Sequence, residues 1–205
     1  MSTHKPAAEA LIWIDTETTG LNTTRDNLLE IAIGITDLEG ELLDSFERVM
    51  MPTTHSAVRD LMDWYAISDD PGHQLVYRMH KASGLWDEVL ASTNSYESVD
   101  EQLMTFLTYT EVPLDDLGRA PMCGNTVNFD QRMCDNRLPQ FRSQFGHRTI
   151  DMSSTKELVR RRHPDIAKAW DQICDAKGDK PHRAMEDILW SIEEYKFYIS
   201  TGMIA

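Results

Sequence analysis

The segment Leu11-Ile12-Trp13-Ile14 runs straight into Asp15-Thr16-Glu17 and then into Thr18-Thr19-Gly20. So short a β-branched and aromatic run, closed by turn residues, predicts a buried strand and not a helix. Residues i and i+2 of an extended chain project to the same face, so Asp15 and Glu17 stand side by side at the end of that strand. Neighbouring carboxylates repel. A hard divalent cation between them removes the repulsion, which makes oxygen-rich Mg2+ or Mn2+ coordination a natural use for the pair. An Asp-x-Glu triplet arises by chance about once in a chain of this size at ordinary composition, and Asp37-Leu38-Glu39 is a second one that reads as a solvated turn. The first pair differs because the end of an apolar strand is a poor place for charges that serve only solvation.

Residues 31–36 predict a second strand, Glu39-Gly40 a turn and residues 42–49 a third strand, together an antiparallel meander. From about 56 to 110 the pattern is helical, interrupted at Pro71-Gly72. It is clearest where Val99, Leu103, Phe106 and Leu107 repeat behind the cap candidates Ser95 and Ser98. A short strand at 121–124, a helix carrying Phe129, Met133 and Leu138, and a strand at 149–152 follow. Ser153 or Ser154 caps the next helix with Glu157 as capping-box partner, and Pro164 closes it. After a loop at 178–181, a last helix over 184–200 shows Met185, Ile188, Leu189, Ile192, Tyr195 and Ile199 on one face. The fold class is α/β: a mixed sheet with an antiparallel three-strand start, flanked by helices.

With 205 residues, 41% hydrophobic and 26% charged, the chain suits one globular domain over residues 10–205 behind a tail at 1–9, and disfavours disorder. Cys123, Cys134 and Cys174 are far apart and in no Cys-x-x-Cys pair, which argues against disulfides or structural zinc and fits a reducing cytoplasm. No window approaches the roughly 18 apolar residues of a membrane span, and residues 1–9 lack the apolar core of a secretory signal, so no membrane partner is expected. A net charge of −14 disfavours long duplex nucleic acid. Bound divalent cations invert charge locally, so phosphate chemistry stays open.

Two further segments carry candidate acids. In Pro181-His182-Arg183-Ala184-Met185-Glu186-Asp187, a loop histidine and an aspartate in the first turns of the last helix can converge; taken alone they read as a surface histidine and a dipole-stabilising acid. In Cys123-Gly124-Asn125-Thr126-Val127-Asn128-Phe129-Asp130, a strand, a turn and a helix start deliver Asp130 near a strand end. Lys156, Arg160, Arg161 and Arg162 read equally as a nucleic-acid groove or a solvated helix face. The five tryptophans read as core or interface, not base platforms.

The order Asp-x-Glu, Asp, His-x4-Asp, with Trp13-Ile14-Asp15-Thr16-Glu17-Thr18-Thr19-Gly20-Leu21 at its start, resembles the DEDDh 3′→5′ exonucleases of the ribonuclease-H-like fold. His80-Lys81-Ala82-Ser83-Gly84-Leu85, Cys123-Gly124-Asn125-Thr126 and residues 148–158 resemble the oligoribonuclease branch, which degrades very short RNA to mononucleotides. The resemblance spans about residues 10–198. It implies that Asp15, Glu17, Asp130 and Asp187 hold two Mg2+ or Mn2+ ions, with His182 as general base. It implies Leu21 as an apolar wedge against bases, Thr126, Arg148 and Ser153 as the grip on a terminal 5′ phosphate, and His80 near the site across a homodimer interface. The substrate it implies is short single-stranded RNA. Departures are His147 in place of a family tyrosine before Arg148, Leu75 in place of a tryptophan before His80, an inserted loop at 69–72, and threonine for serine at Thr126. A proofreading-type DNA exonuclease and a non-catalytic nucleic-acid-binding module on the same scaffold are the alternatives. His147 leaves the preferred substrate length open.

Overall fold

A computed structural model describes residues 9–203 except 111, 113, 115, 116, 179 and 181. All of the expected tail but Glu9, and Asp179 and Pro181 of the expected 178–181 loop, lie outside the described residues. In chain order the elements are β1 (Leu11–Thr18), β2 (Leu28–Thr36), β3 (Leu42–Val49), α1 (His55–Ile67), α2 (Pro71–Ala82), α3 (Leu85–Ala91) and α4 (Tyr96–Tyr109). They continue with β4 (Met122–Gly124), α5 (Asn128–Arg137), α6 (Pro139–Arg142), β5 (Thr149–Asp151), α7 (Met152–Arg162), α8 (Pro164–Lys177) and α9 (Ala184–Ser200). The sheet order is β3-β2-β1-β4-β5, which puts β1 at the centre. β1, β2 and β3 pair antiparallel, whereas β4 lies parallel to β1 and β5 parallel to β4. This is the mixed α/β sheet that the sequence pattern predicts.

The alternation of β1 builds two cores. Ile12 and Ile14 join Ile31, Ile33 and Ile35 of β2 and pack against Val99 and Leu103 of α4 and Met133 of α5. Leu11 and Trp13 face the other way, onto Met152 and Val159 of α7 and Ile188, Ile192 and Tyr195 of α9. A third cluster, with Leu29, Met51, Val58, Leu85, Trp86 and Val89, seats α1 and α3 beside the sheet. The buried Asp100 on α4 is satisfied by the backbone: its carboxylate accepts the Gln140 and Phe141 N–H groups at 2.9 and 2.8 Å and so caps α6.

Several local expectations need correction. The cap of α7 is Asp151, whose Oδ1 accepts the Ser154 N–H at 3.2 Å, so Ser153 and Ser154 lie inside the helix. The strand ends one residue early and its last carboxylate is the stronger acceptor; Glu157 pairs with Arg160 and Arg161 instead. The expected loop at 69–72 is only half loop: Asp69 and Asp70 lie in the connection between α1 and α2, while Pro71 and Gly72 open α2, with Asp70 accepting from Gly72 N–H at 2.7 Å and Pro71 in the first turn, where its missing N–H does no harm. Pro164 ends α7 by opening α8 in the same way. Leu189 is 42% exposed, because α9 centres its buried face on Ala184, Ile188, Ser191, Ile192, Tyr195 and Tyr198.

Gly124 lets β4 lie against β1: a Cβ there meets the Ile14 carbonyl oxygen at 2.7 Å, and backbone cannot step aside as a side chain can. Gly124→Ala is therefore expected to cost about 1–3 kcal/mol of unfolding free energy. Urea denaturation checks this, and an unchanged midpoint at the same slope would show that the strands separate freely.

Candidate metal-binding active site

β1 carries its two acids inside the paired strand, with Asp15 opposite Ala32 and Glu17 opposite Glu30 of β2. They share the face that bears Trp13, the face covered by α9. Asp187, in the first turns of α9, therefore meets them: one oxygen each of Asp15, Glu17 and Asp187 lie within 4.8 Å of one another. Among the described residues this is the one group of acids and histidines gathered so closely. Asp130 approaches from the other side. Its carboxylate accepts the Thr16 hydroxyl at 2.6 Å, and Thr16 projects to the opposite face of β1, toward α5. The fourth carboxylate thus stands at the strand end, outside the tight trio.

The electrostatics follow from this crowding. Burial, with the charges of Asp130, Asp187 and Glu17 added, holds the Asp15 carboxyl well above the usual range, while Lys180 opposes the shift. Burial also pushes Glu17 up to about 8, helped by Asp187 and Glu30. Asp130 rises to about 7 for the same first reason, against the hydrogen bond from Thr16. Lys180 Nζ lies 3.1 Å from Asp187 Oδ1, an ion pair by distance that is not aligned as a hydrogen bond, so this buried oxygen has no hydrogen-bond partner. Three converging carboxylates with an unbonded oxygen among them form the hard, anionic donor set that a divalent cation takes. Neither Lys180 nor Thr16 carries a pattern that singles it out in the sequence.

A second cluster lies at the C-terminal ends of β4 and β5. Thr126 takes a left-handed backbone (φ 56°), its N–H donates to Asp151 Oδ1 at 3.3 Å, and its hydroxyl lies 3.1 Å from that of Ser153. Ser153 donates to Asn125 at 3.3 Å, Asn125 donates to Ser191 at 2.6 Å, and Ser191 donates to the Asp187 carbonyl at 2.9 Å. A continuous run of hydrogen bonds so links the Thr126–Ser153 hydroxyls to the helix turn that carries Asp187. Arg148 precedes β5 and is exposed, as is His147.

Leu21, just past β1, is 86% exposed. Nearby, Thr19, Arg25, Asp26, Asn27, Trp64 and Tyr65 line a cavity of about 260 Å³. His73 stacks on Tyr65 at 4.5 Å and touches Trp64 at 4.6 Å, and the Tyr65 hydroxyl donates to the Thr19 carbonyl at 2.8 Å. Trp64 is 52% exposed and so lies outside the core, while Trp13, Trp86 and Trp170 are buried in it. His80 is enclosed in its own chain, with Nε2 2.9 Å from the Thr18 carbonyl, Nδ1 3.9 Å from Glu17, and Trp86 edge-on to its ring. His182 sits exposed on the loop before α9 with a left-handed backbone (φ 52°). In the basic cluster Lys156 pairs with the buried Glu194 at 3.0 Å and Arg160 with Asp171 at 3.4 Å, which favours the helix-face reading.

The Exonuclease family (RNase_T) matches residues 12–195, and the chain belongs to it. The likeness to solved structures agrees on the fold. Exonuclease I of E. coli in complex with a dA13 oligonucleotide superposes with a TM-score of 0.63 at 14% identity over 94% of this chain, and that of Methylocaldum szegediense with 0.63 at 14% over 95%. This is the ribonuclease-H-like fold; the chain spans 40% and 41% of the length of those two chains. Within the family, the oligoribonucleases of Shewanella loihica and Nitrosomonas eutropha are 34% and 33% identical over 188 residues, 92% of this chain and 92% of each relative. The mitochondrial oligoribonuclease of mouse is 29% identical over 198 residues, 97% of this chain and 75% of that one. The chain belongs to the oligoribonuclease family. Membership implies dependence on a divalent metal, and the carboxylate cluster to hold it is present.

The raised carboxylates set a pH dependence with a definite sign. Between the usual carboxylate range and pH of about 8, folded protein keeps protons on Glu17 that the unfolded chain releases, so this contribution to stability is lost as pH rises through the window. A divalent cation replaces those protons. The chelator-treated protein is expected to melt at a lower temperature at pH 8 than at pH 5, and Mn2+ to raise the midpoint more at pH 8. Equal Mn2+ shifts at both pH values would contradict the assignment.

Proposed function

We propose that this chain is a metal-dependent 3′→5′ exoribonuclease that shortens small single-stranded RNA oligonucleotides to 5′-mononucleotides. The observation that carries the proposal is the convergence of Asp15, Glu17 and Asp187 on one face of β1, with Asp130 beside the strand end, in a chain of the oligoribonuclease family. When bound, two Mg2+ or Mn2+ ions held by these four side chains, directly or through water, supply a nucleophilic water at neutral pH and charge neutralisation at the leaving 3′ oxygen. His182 accepts the proton of the attacking water, a task suited to histidine, which exchanges protons near neutral pH.

Around this centre the chain's own residues bind and orient. Arg148 offers a planar fork to the terminal 5′ phosphate, and Thr126 and Ser153 offer hydroxyls. The hydrogen-bonded path from Thr126 and Ser153 to the Asp187 turn fixes the distance between those hydroxyls and the metal ligands, and that distance limits substrate length. Leu21 wedges against bases, and Trp64 with His73 supplies an aromatic surface that compensates for Leu75. His80 lies beside the site within its own chain, its Nδ1 3.9 Å from the Glu17 carboxylate. The −14 charge suits a substrate with few phosphates and disfavours long duplexes. No helix among the described residues is long and apolar enough to cross a membrane. A homodimer in the cytoplasm completes the reading.

Initial rates on 5′-labelled RNA dinucleotide, RNA heptamer and DNA heptamer, with Mg2+ or chelator, test the proposal. The fastest metal-dependent cleavage is expected on the RNA dinucleotide. A faster rate on the DNA heptamer would assign the chain to DNA processing. Asp15→Ala is expected to abolish turnover, and His182→Ala to slow it about 10²-fold with Mn2+ binding kept.

A further inference from the structure

Arg183 caps α9 by position, yet its side chain makes no capping bond. The cap comes from the sheet. Glu30, fully buried and directly opposite Glu17 in the β1/β2 register, accepts the Ala184 N–H at 3.0 Å. The same carboxylate binds the Arg183 guanidinium, with Nε at 3.1 Å from both oxygens and Nη2 at 2.6 Å from one. The outer side of the guanidinium is held by Glu88 on α3, at 2.7 Å from Nη1 and 2.8 Å from Nη2. One arginine thereby ties the start of α9 to β2 and α3 at once, between His182 and the Asp187 turn. The Arg183 carbonyl also accepts the Asp187 N–H at 2.9 Å, the bond that opens the helix.

A buried ion pair is a weak source of stability, since desolvation cancels much of the attraction, so this clamp needs another reason to exist. The adjacent residue supplies it. His182 has a left-handed backbone, which non-glycine residues hold only when their surroundings impose it. We propose that Glu30, Arg183 and Glu88 form a positioning clamp that fixes His182 in this conformation and sets the Asp187 turn against Glu17. The inference rests on His182 as general base. None of the three clamp residues touches the reacting atoms; they act through the geometry of the two that do.

Arg183→Lys keeps the charge but cannot fork two carboxylates. It is expected to lower kcat about 30-fold or more, while KM shifts less than about threefold. Amide exchange at Ala184 in the metal-free protein is expected to quicken at least about tenfold as its cap loosens. In a His182→Ala background the same substitution lowers kcat by a clearly smaller factor than it does alone, because one of the two groups it positions is gone and only the Asp187 turn remains. Glu41→Gln, which breaks the exposed Glu41–Lys196 pair near the far end of α9, leaves kcat as it is. A folded Arg183→Lys enzyme at full rate, or an undiminished effect in the His182→Ala background, overturns the clamp. Should Arg183→Lys not fold, Glu88→Gln removes the outer arm alone; a severalfold loss of kcat supports the clamp and full rate overturns it. A His182→Ala enzyme at full rate overturns the general-base reading instead, so the two failures are told apart.

Discussion

The gathering of carboxylates in a poorly hydrated place is the constraint around which this molecule is arranged. Asp15, Glu17 and Asp187 bring oxygens within 4.8 Å of one another, and Asp130 adds its charge from the strand end. Ionised and alone, such a group pushes itself apart. It is compatible with a folded chain only if protons or cations compensate it and the backbone beneath it cannot yield. The first condition explains the upward shifts at Asp15, Glu17 and Asp130 and the ammonium of Lys180 beside Asp187. The second explains why two of the acids lie within the central strand, where β2 pairs with Asp15 and Glu17 along one edge and β4 holds the residues just before them on the other.

β1 serves both faces of the sheet at once. Its odd residues pass from Leu11 and Trp13 in the α9-side core to Asp15 and Glu17 at the site, while its even residues pass from Ile12 and Ile14 in the α5-side core to Thr16. Each core therefore grades into one half of the site. The α9 half contributes Asp187, the α5 half contributes Asp130 through Thr16, and the strand end is where the two meet. Packing energy in the cores is what holds the acids at short range, so the stability of the fold and the geometry of the site are one problem.

The site's periphery is tied to its centre by directional bonds rather than by packing. The path from Thr126 and Ser153 through Asn125 and Ser191 reaches the Asp187 turn, and the Glu30–Arg183–Glu88 group reaches the same helix start from the other side. The first turns of α9 are thus fixed from two directions. Such a helix end can present an acid to a cation without fraying. Of the departures from the family pattern, Thr126 stands within this frame and keeps the hydroxyl that the path uses, while His147 and Leu75 are exposed outside it.

The sequence by itself determined most of the strand residues, because short β-branched runs closed by turn residues are local signals, although it began the second strand at 31 where β2 begins at Leu28; it also marked Asp15 and Glu17, because the end of an apolar strand is a poor place for acids that serve only solvation. It also supplied the last helix and the order of acids that makes the family recognisable. The tertiary structure alone decided which of those acids meet. That Asp130 approaches through Thr16 from the other face of β1 follows from where α5 packs, and spacing along the chain carries no such information. The enclosure of His80 was likewise set by neighbours distant in sequence, whereas the cap of α7 by Asp151 is local, three residues from its donor. Glu30 is the plainest case: in the sequence it is one acid in an apolar run, and only the register opposite Glu17 and the arrival of Arg183 more than 150 positions later give that buried charge its partner.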